Sequence, residues 1–529
     1  MRARVQGAAF RATLPSAARW NHPCSSTEAT DTDSDQQSTE RLPPYGLDEQ
    51  TVGPDGEPPP PRIAVLGPMW QAAPPPQPGQ ATLARTRVLP DDHGSQIVHR
   101  AGWPGAVTPL AAIRELCLAA LLPYLATRVG LLLVGLLADY YLLPLHKPGR
   151  VLASSRANAR FPENLQLMWQ RFDSGFYLSI AKNGYDTRHL AHPVVSWAFY
   201  PLYPLAVSIL SRPFGHGPGS LRLSAILVAN AAGLAAAAYL YALARREFGP
   251  QVAGKAVLYL ALFPTSFYLS AIYPESLFLL CAVACIYYTR GYHWWRAGIF
   301  GGLASLGRAQ GVLLLLPVAW ELLCSLRDEA PADGASGGGP IAWLAATAAS
   351  YRRGLAAGLA RGRTWLALAG LALIPGGLLL FLAYGKRGTG HWLMSFDVQR
   401  ARWGRYYENP WTVLANAIQH PHAANPMDWN FWSLNMAMVA AFLCFVVWAF
   451  RRLPSTYGVY TLVMVLLPLS SSRLNSISRY YLPVFPALIL LALWSSDPQG
   501  NRHGLIVAGF AALLALLMSF FVLGLPAIA

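Results

Sequence analysis

Apolar runs long enough to cross a bilayer recur from about residue 110 onward, with little polar sequence between them. About 20 apolar residues in a helix span the hydrocarbon core. Of the 529 residues, 54% are apolar and only 13% are charged, whereas soluble domains carry about 25% charged residues. A closed β-barrel would need apolar and polar positions to alternate, and this alternation is absent. The sequence therefore predicts an all-α polytopic membrane protein.

The apolar runs divide into eleven predicted transmembrane helices. The segment 197–213 is short and broken by prolines, which favours an interfacial or re-entrant helix over a span. The predicted spans lie near 117–144, 221–244, 252–272, 274–290, 294–308, 311–326, 364–384, 431–450, 456–472, 478–495 and 504–524.

The net charge of +15 comes mostly from arginines that flank the apolar runs, as orientation signals do. We therefore expect contact with the lipid bilayer and no nucleic-acid partner. With a cytoplasmic N-terminus, five basic clusters fall on the cytoplasmic side, including a flexible Gly-rich loop at 327–363. The loops 146–196 and 385–430 then lie on the outer side.

Residues 1–105 are rich in Pro, Gly, Ser, Thr and Gln and cannot build a hydrophobic core. They predict a disordered cytoplasmic tail, with a transit peptide as the alternative. The remaining residues, 106–529, form one predicted transmembrane domain. The abundance of Arg, Ala and Gly indicates a GC-rich genome, so we expect a bacterial plasma membrane, or the endoplasmic reticulum membrane if the source is eukaryotic.

Asp173 lies just after the first apolar run, in a stretch (163–182) whose apolar residues share one helical face. This pattern predicts an amphipathic helix on the membrane surface, in the first outer loop. Such a helix would hold Asp173 partly desolvated at the mouth of the bundle, as a proton acceptor. Alternatively, Asp173 pairs with Arg171 or Lys182 on a solvated face, and the spacing alone leaves both interpretations open.

Four other charged residues are predicted to lie on the outer side. Glu275 begins a helix, where it could simply complement the helix dipole. Arg308 interrupts an apolar stretch, as either a membrane anchor or a phosphate contact. Arg473 and Arg479 lie on the side where the orientation rule disfavours arginine, which favours anion binding. No metal-ligand spacing occurs, so we expect neither a metal site nor a cofactor.

Five motifs, in order between 168 and 486, resemble those of the PIG-V-type mannosyltransferases, relatives of the second mannosyltransferase of glycosylphosphatidylinositol anchor assembly. The motifs are RFDSGFYLSIAKNGY at 171–185, FYPLYP at 199–204, LFPTSFYLSAIYPESLF at 262–278, ASLGRAQG at 304–311 and SRYYLPVFP at 478–486. The resemblance does not cover residues 1–105.

This resemblance implies a GT-C-type helical bundle and a glycosyltransferase. The donor would be a polyprenyl- or dolichyl-phosphate sugar, commonly mannose, and the acceptor a glycan or glycolipid on the non-cytoplasmic face. By the resemblance, Asp173 would be the catalytic base. Because nothing in the sequence suggests a second nucleophile, we expect inversion at the anomeric carbon. The expected substrate contacts are Arg171, Tyr177, Glu275, Arg308, Gln310, Arg473 and Arg479, although Gln310 stands where the family usually has Asn.

Two other functions fit some of these features. A lipid or sugar transporter would explain the spans and the intramembrane arginines, but it predicts paired repeats with broken helices at mid-membrane. We find no convincing internal repeat. An inactive scaffold that binds another transferase is the third alternative.

Overall fold

The computed structural model describes residues 109–142, 163–187, 195–328, parts of 349–358, 362–419, 426–497 without 473 and 475, and 500–525. The predicted tail 1–105 lies outside these residues, as does most of the loop 327–363. The described chain is almost entirely helical, and its single β feature is an isolated antiparallel bridge between Tyr407 and Ser471.

Six described helices are long and apolar enough to cross a membrane: Ile113–Leu142, Pro218–Phe248, Ala309–Leu326, Thr364–Thr389, Trp432–Arg452 and Arg502–Leu523. Three shorter apolar helices accompany them, at Glu275–Thr289, Ser455–Leu469 and Phe485–Trp494. Two further helices, Pro250–Leu262 and Trp294–Gly307, also fall where spans were predicted. The all-α polytopic membrane fold is thus confirmed, while the count of eleven spans stays a prediction.

Several predicted helices end earlier or begin later than the apolar pattern indicated. The helix expected over 252–272 ends at Leu262, and a 3-10 turn, Ser266–Leu269, follows it. The helix expected over 478–495 divides into Ile477–Tyr481 and Phe485–Trp494. Pro483 lies in the break, and proline cannot donate the backbone hydrogen bond that would continue the first helix.

The amphipathic helix predicted over 163–182 is also two helices, Glu163–Leu167 and Ser174–Asn183, with a tight turn between them. Phe172 in this turn has a φ of 48°, in the left-handed region. The predicted apolar stripe packs inside the protein, since Met168 and Trp169 are buried in the core. Apolar periodicity therefore located the buried face but missed the turn before Asp173.

The tightest helix contact joins Trp294–Gly307 to Arg363–Thr389. A Cβ placed on Gly298 would lie 2.0 Å from the carbonyl oxygen of Gly370, and one on Gly377 would lie 2.1 Å from that of Gly302. Only glycine allows backbones to approach so closely, as small residues do between membrane helices. We call these contacts among Gly298, Gly302, Gly370 and Gly377 the glycine seam. The seam holds in position the helix that ends just before Arg308.

Two short helices, Met394–Trp403 and Pro410–Gln419, lie within the predicted outer loop 385–430. The segment between them is hydrogen-bonded to residues 470–472: Glu408 N–H donates to the Ser470 carbonyl at 3.0 Å, and Ser472 N–H donates to the Tyr406 carbonyl at 3.1 Å. The loop is therefore fastened over the end of helix Ser455–Leu469, and it forms one wall of the cavity described next.

Candidate active site

A cavity of about 770 Å³ opens among the loop helices and the ends of several membrane helices. Five of the eight residues predicted as site residues contribute to its lining: Asp173, Tyr177, Arg308, Gln310 and Arg479. The remaining lining includes Arg400, Arg405, Trp403, Asp397 and Tyr480. The cavity therefore combines carboxylates, guanidinium groups and aromatic rings, which is a suitable lining for a charged and sugar-bearing ligand.

The turn before Asp173 is held by three hydrogen bonds to the segment 272–273. The Asp173 N–H donates to the Tyr273 hydroxyl at 3.0 Å, and this hydroxyl donates to the Arg171 carbonyl at 3.0 Å. The Ile272 N–H donates to the Trp169 carbonyl at 3.2 Å. These bonds replace the helical bonds that a continuous helix would have made, and they give the turn its position at the cavity edge.

Arg171 completes the support of this turn. Its guanidinium donates to the Val522 carbonyl at 2.6 and 2.9 Å and to the carbonyls of Leu167 and Gln170 at 2.9 Å each. It thereby satisfies carbonyls at the end of one helix and ties them to the end of the last described helix. Arg171 is buried and is absent from the cavity lining, so its placement favours a structural role over the predicted substrate contact.

The Asp173 carboxylate faces an arginine from the far end of the sequence. Although Asp173 is the N-cap residue of helix Ser174–Asn183, its side chain makes no capping hydrogen bond. Its Oδ2 accepts a hydrogen bond from Arg479 at 3.2 Å, and the side chain keeps 27% of its surface exposed. The alternative pairing with Arg171 or Lys182 on a solvated face is therefore not the arrangement found.

Glu275 connects the buried Arg479 to Arg308, whose side chain is 10% exposed. Its side chain is 1% exposed; its Oε1 lies 3.4 Å from Arg479 Nε and also accepts a hydrogen bond from Arg308. Burial by itself would lower the pKa of Arg479, but the carboxylates of Glu275 and Asp173 raise it well above its usual range. Both guanidinium groups therefore stay charged. Glu275 does more than complement its helix dipole, because it positions two cations at the cavity wall.

Tyr480 lies between three guanidinium groups. Its hydroxyl accepts a hydrogen bond from Arg405 at 2.6 Å, and its ring centroid is 4.9 Å from the Arg308 carbon Cζ and 5.5 Å from that of Arg479. Burial would raise the pKa of Tyr480, but the positive charges of Arg405, Arg479 and Arg308 outweigh it and lower that pKa to about 7. The three cations therefore favour an anion at this position.

The residues predicted to contact substrate therefore differ in whether they line the cavity. Tyr177 lines the cavity through a cluster of rings that includes Phe199 and Tyr203, and burial followed by the charge of Glu275 raises the pKa of its phenol. Glu275 lies behind the lining. Arg473 falls outside the described residues, so its predicted role stays a prediction.

The lining residues that sequence reasoning did not select include Asp397, Trp403, Arg405 and Tyr480. The loop 385–430 was recognised as basic and aromatic, but that composition could not rank its individual members. Tyr480 directly follows Arg479 within the last motif, which was the one available signal. Among the described residues, no group of three or more His, Cys, Asp or Glu side chains could hold a metal ion.

Two solved structures are similar to part of the chain. ArnT from Cupriavidus metallidurans bound to undecaprenyl phosphate is 15% identical with a TM-score of 0.40, and the alignment covers 68% of this chain and 75% of that one. The Archaeoglobus fulgidus oligosaccharyltransferase, in complex with zinc and sulfate, is 14% identical with a TM-score of 0.33, covering 75% of this chain and 53% of that one. This chain thus matches about half the length of the oligosaccharyltransferase.

No curated protein sequence matches the chain. Residues 125–320, however, match the family model described as Mannosyltransferase (PIG-V). The matched segment includes the turn with Asp173, the buried Glu275 and both Arg308 and Gln310. This match agrees with the motif resemblance found in the sequence, and it favours an enzyme over a transporter or a scaffold. By this match over residues 125–320, the chain is a membrane glycosyltransferase whose matched segment is similar to the mannosyltransferase (PIG-V) family.

Proposed function

We propose that the protein transfers a hexose from a polyprenyl-phosphate donor to a hydroxyl of a lipid-linked or glycan acceptor. The family model that residues 125–320 match indicates that this hexose is mannose. The observation that carries this proposal is the contact between Asp173 and Arg479 at the wall of the cavity. It places a carboxylate, which can accept a proton, beside a guanidinium, which can bind a phosphate. Sugar transfer from a lipid phosphate needs one group of each kind.

Asp173 is the proposed general base. The acceptor oxygen attacks the anomeric carbon, the bond from that carbon to the phosphate oxygen breaks, and the acceptor proton passes to the Asp173 carboxylate. The lipid phosphate leaves with the bonding electron pair. Arg479 binds both Asp173 and Glu275, so a phosphate that binds Arg479 competes with Asp173 and releases its carboxylate for the proton.

The arginines are the proposed stabilisers of the leaving group. Arg308, Arg405 and Arg479 all line the cavity, and they converge on Tyr480. Preorganised positive charge at the place where negative charge develops lowers the barrier without reorganisation during the reaction. With Asp173 as the single proposed catalytic carboxylate, the displacement occurs in one step, and we expect inversion at the anomeric carbon.

We further propose that the cavity opens on the non-cytoplasmic side. Arg245, Arg246, Arg290, Arg451 and Arg452 lie at or just beyond the C-terminal ends of helices Pro218–Phe248, Glu275–Thr289 and Pro426–Arg452. Helix Glu275–Thr289 begins with Glu275 of the site and ends next to Arg290, so the site and this basic cluster lie at opposite helix ends. By the positive-inside rule, the basic ends face the cytoplasm.

The test is transfer of radiolabelled mannose by the purified protein in lipid nanodiscs. Polyprenyl-phosphate mannose and a nucleotide mannose are compared as donors, with a glycolipid extract as acceptor. We expect transfer only from the lipid donor and a loss of about 100-fold or more in kcat for Asp173→Asn. Asp497→Asn is the matched control, because Asp497 is exposed and pairs with Arg502 away from the cavity. Full activity of Asp173→Asn, or a product with retained anomeric configuration, would refute the mechanism.

A further inference from the structure

One buried amide of the cavity wall has no hydrogen-bond partner among the described residues. Gln310 is 3% exposed, and both its Oε1 and its Nε2 are unbonded, although the side chain lines the cavity. A buried polar group without a partner is costly, and such groups in native proteins point to an unseen partner. We propose that the Gln310 amide binds two adjacent hydroxyl groups of a sugar ring, an inference that rests on the proposed function.

The backbone around Gln310 leaves it little freedom to turn away. Gln310 is the second residue of the 3-10 helix Ala309–Leu314, and the Gly311 N–H donates to the Arg308 carbonyl at 2.9 Å. A Cβ on Gly311 would lie 2.2 Å from the carbonyl carbon of Ala304, so this turn is pressed against the preceding helix. The side chain of Arg308 is in turn held by Glu275. The amide is therefore presented from a rigid support.

The chemistry of a primary amide matches adjacent hydroxyls. The amide oxygen accepts a hydrogen bond and the amide nitrogen donates two, while each sugar hydroxyl can both donate and accept. One hydroxyl can donate to Oε1 while its neighbour accepts from Nε2. A phosphate, in contrast, only accepts, so it would leave Oε1 unsatisfied. The amide is therefore suited to the neutral sugar, and the three arginines to the phosphate.

The cavity contains further features that suit a sugar ring. Trp403 lines it and packs edge-on against Phe199 with ring centroids 5.7 Å apart, so its ring is held in place. The Ser471 hydroxyl also lines the cavity and has no hydrogen-bond partner among the described residues. An aromatic ring can cover the apolar face of a sugar while the amide and hydroxyl bind its edge.

Gln399 provides an internal comparison. It lines the same cavity, but its Nε2 already donates to the Ala198 carbonyl at 3.2 Å. The two glutamines therefore differ in whether the protein satisfies the amide. We use Gln399→Met as the matched control for Gln310→Met, because both substitutions exchange an amide for a thioether of similar length.

The experiment measures kcat/KM for a series of mannosyl-phosphate lipids that each lack one ring hydroxyl. In the unmodified protein, removal of either hydroxyl bound by Gln310 should lower kcat/KM about tenfold. In Gln310→Met the same removals should cost less than twofold, whereas Gln399→Met should keep the full penalties. If the bound hydroxyls belong to the acceptor, the same pattern appears with a series of acceptors that each lack one hydroxyl. The unmodified protein then shows the penalty, and Gln310→Met loses it.

The inference is overturned if every deoxy penalty, in both series, is the same in Gln310→Met as in the unmodified protein. This failure is distinct from failure of the proposed function, in which the unmodified protein would transfer no sugar from a lipid phosphate. Gln310→Asn is a second variant, used in case Gln310→Met does not fold. Its shorter amide should restore part of the penalty for one hydroxyl, and absence of any restoration in a folded Gln310→Asn protein also counts against the inference.

Discussion

Asp173 and Arg479 are separated by 306 positions in the chain, and their side chains meet at 3.2 Å. The same guanidinium lies 3.4 Å from Glu275, which is almost fully buried. One carboxylate partner of Arg479 is therefore accessible from the cavity, and the other is an anchor behind it. This arrangement allows Arg479 to exchange Asp173 for a phosphate without losing its place in the wall.

The anchoring role of Glu275 is testable by Glu275→Gln. Loss of this charge leaves Arg308 and Arg479 without their shared anchor, so we expect the KM for the lipid donor to rise about tenfold. We also expect a lower thermal stability, because breaking a buried ion pair costs about 3–5 kcal/mol. Donor KM comes from initial rates in nanodiscs, and stability comes from thermal unfolding.

Glu321→Gln is the control for this prediction. Glu321 is also buried and also binds an arginine, Arg290, at 2.7 Å, but away from the cavity. Its loss should lower the stability to a similar extent and leave the donor KM unchanged. Equal effects of the two substitutions on KM would contradict an anchoring role specific to Glu275.

Tyr480 should make donor binding depend on pH. Three arginines lower the pKa of its phenol to about 7, so the phenol loses its proton as the pH rises through that value. The Tyr480 phenolate then competes with the donor phosphate for Arg405. Above that pH, donor binding therefore requires the phenolate to take up a proton. We expect the donor KM to be constant well below pH 7 and to rise above it, by at most about tenfold per pH unit.

The measurement is donor KM between pH 6 and 8.5, and the phosphodiester of the donor does not titrate in that range. Tyr480→Phe should give a constant KM, whereas Tyr407→Phe, which removes an exposed phenol of the same cavity, should keep the pH dependence. A pH-independent KM in the unmodified protein would rule out competition by Tyr480.

The close helix contact at the glycine seam should make the stability of the protein sensitive to any added side-chain atom there. Gly377→Ala would place a Cβ 2.1 Å from the Gly302 carbonyl oxygen, so the helices must move apart. We expect a destabilisation of about 1–3 kcal/mol, the usual cost of overpacking. Gly376→Ala is the neighbouring control, since no atom lies within 4 Å of its added Cβ. Indistinguishable melting temperatures for the two variants would show that the seam is not tightly packed.

Arg171 distinguishes structural support from substrate contact. Arg171→Lys keeps the charge but loses the planar fork that binds the carbonyls of Val522, Leu167 and Gln170. We expect a lower melting temperature and a reduced kcat, because the turn that places Asp173 is loosened, with donor KM changed less than twofold. A large increase in donor KM with an unchanged melting temperature would instead support the substrate contact predicted from the sequence.

The apolar periodicity and the composition of the sequence predicted most of the helices. Each apolar run that crosses a bilayer must satisfy its own backbone hydrogen bonds, so length and hydropathy are sufficient to predict a helix. The ends of the helices were less accessible. The break at Pro483 and the turn at Phe172 depend on hydrogen bonds to distant segments, which no local pattern records.

The sequence by itself determined that this is a helical membrane protein with the motifs of a sugar transferase, and it selected Asp173, Glu275, Arg308, Gln310 and Arg479 as candidates. Only the tertiary structure decided which of them face a common cavity, that Glu275 lies behind the wall, and that Arg171 binds carbonyls instead of lining it. The physical reason is that charges buried at membrane helix ends need partners. Those partners come from segments hundreds of residues apart, brought together by helix packing.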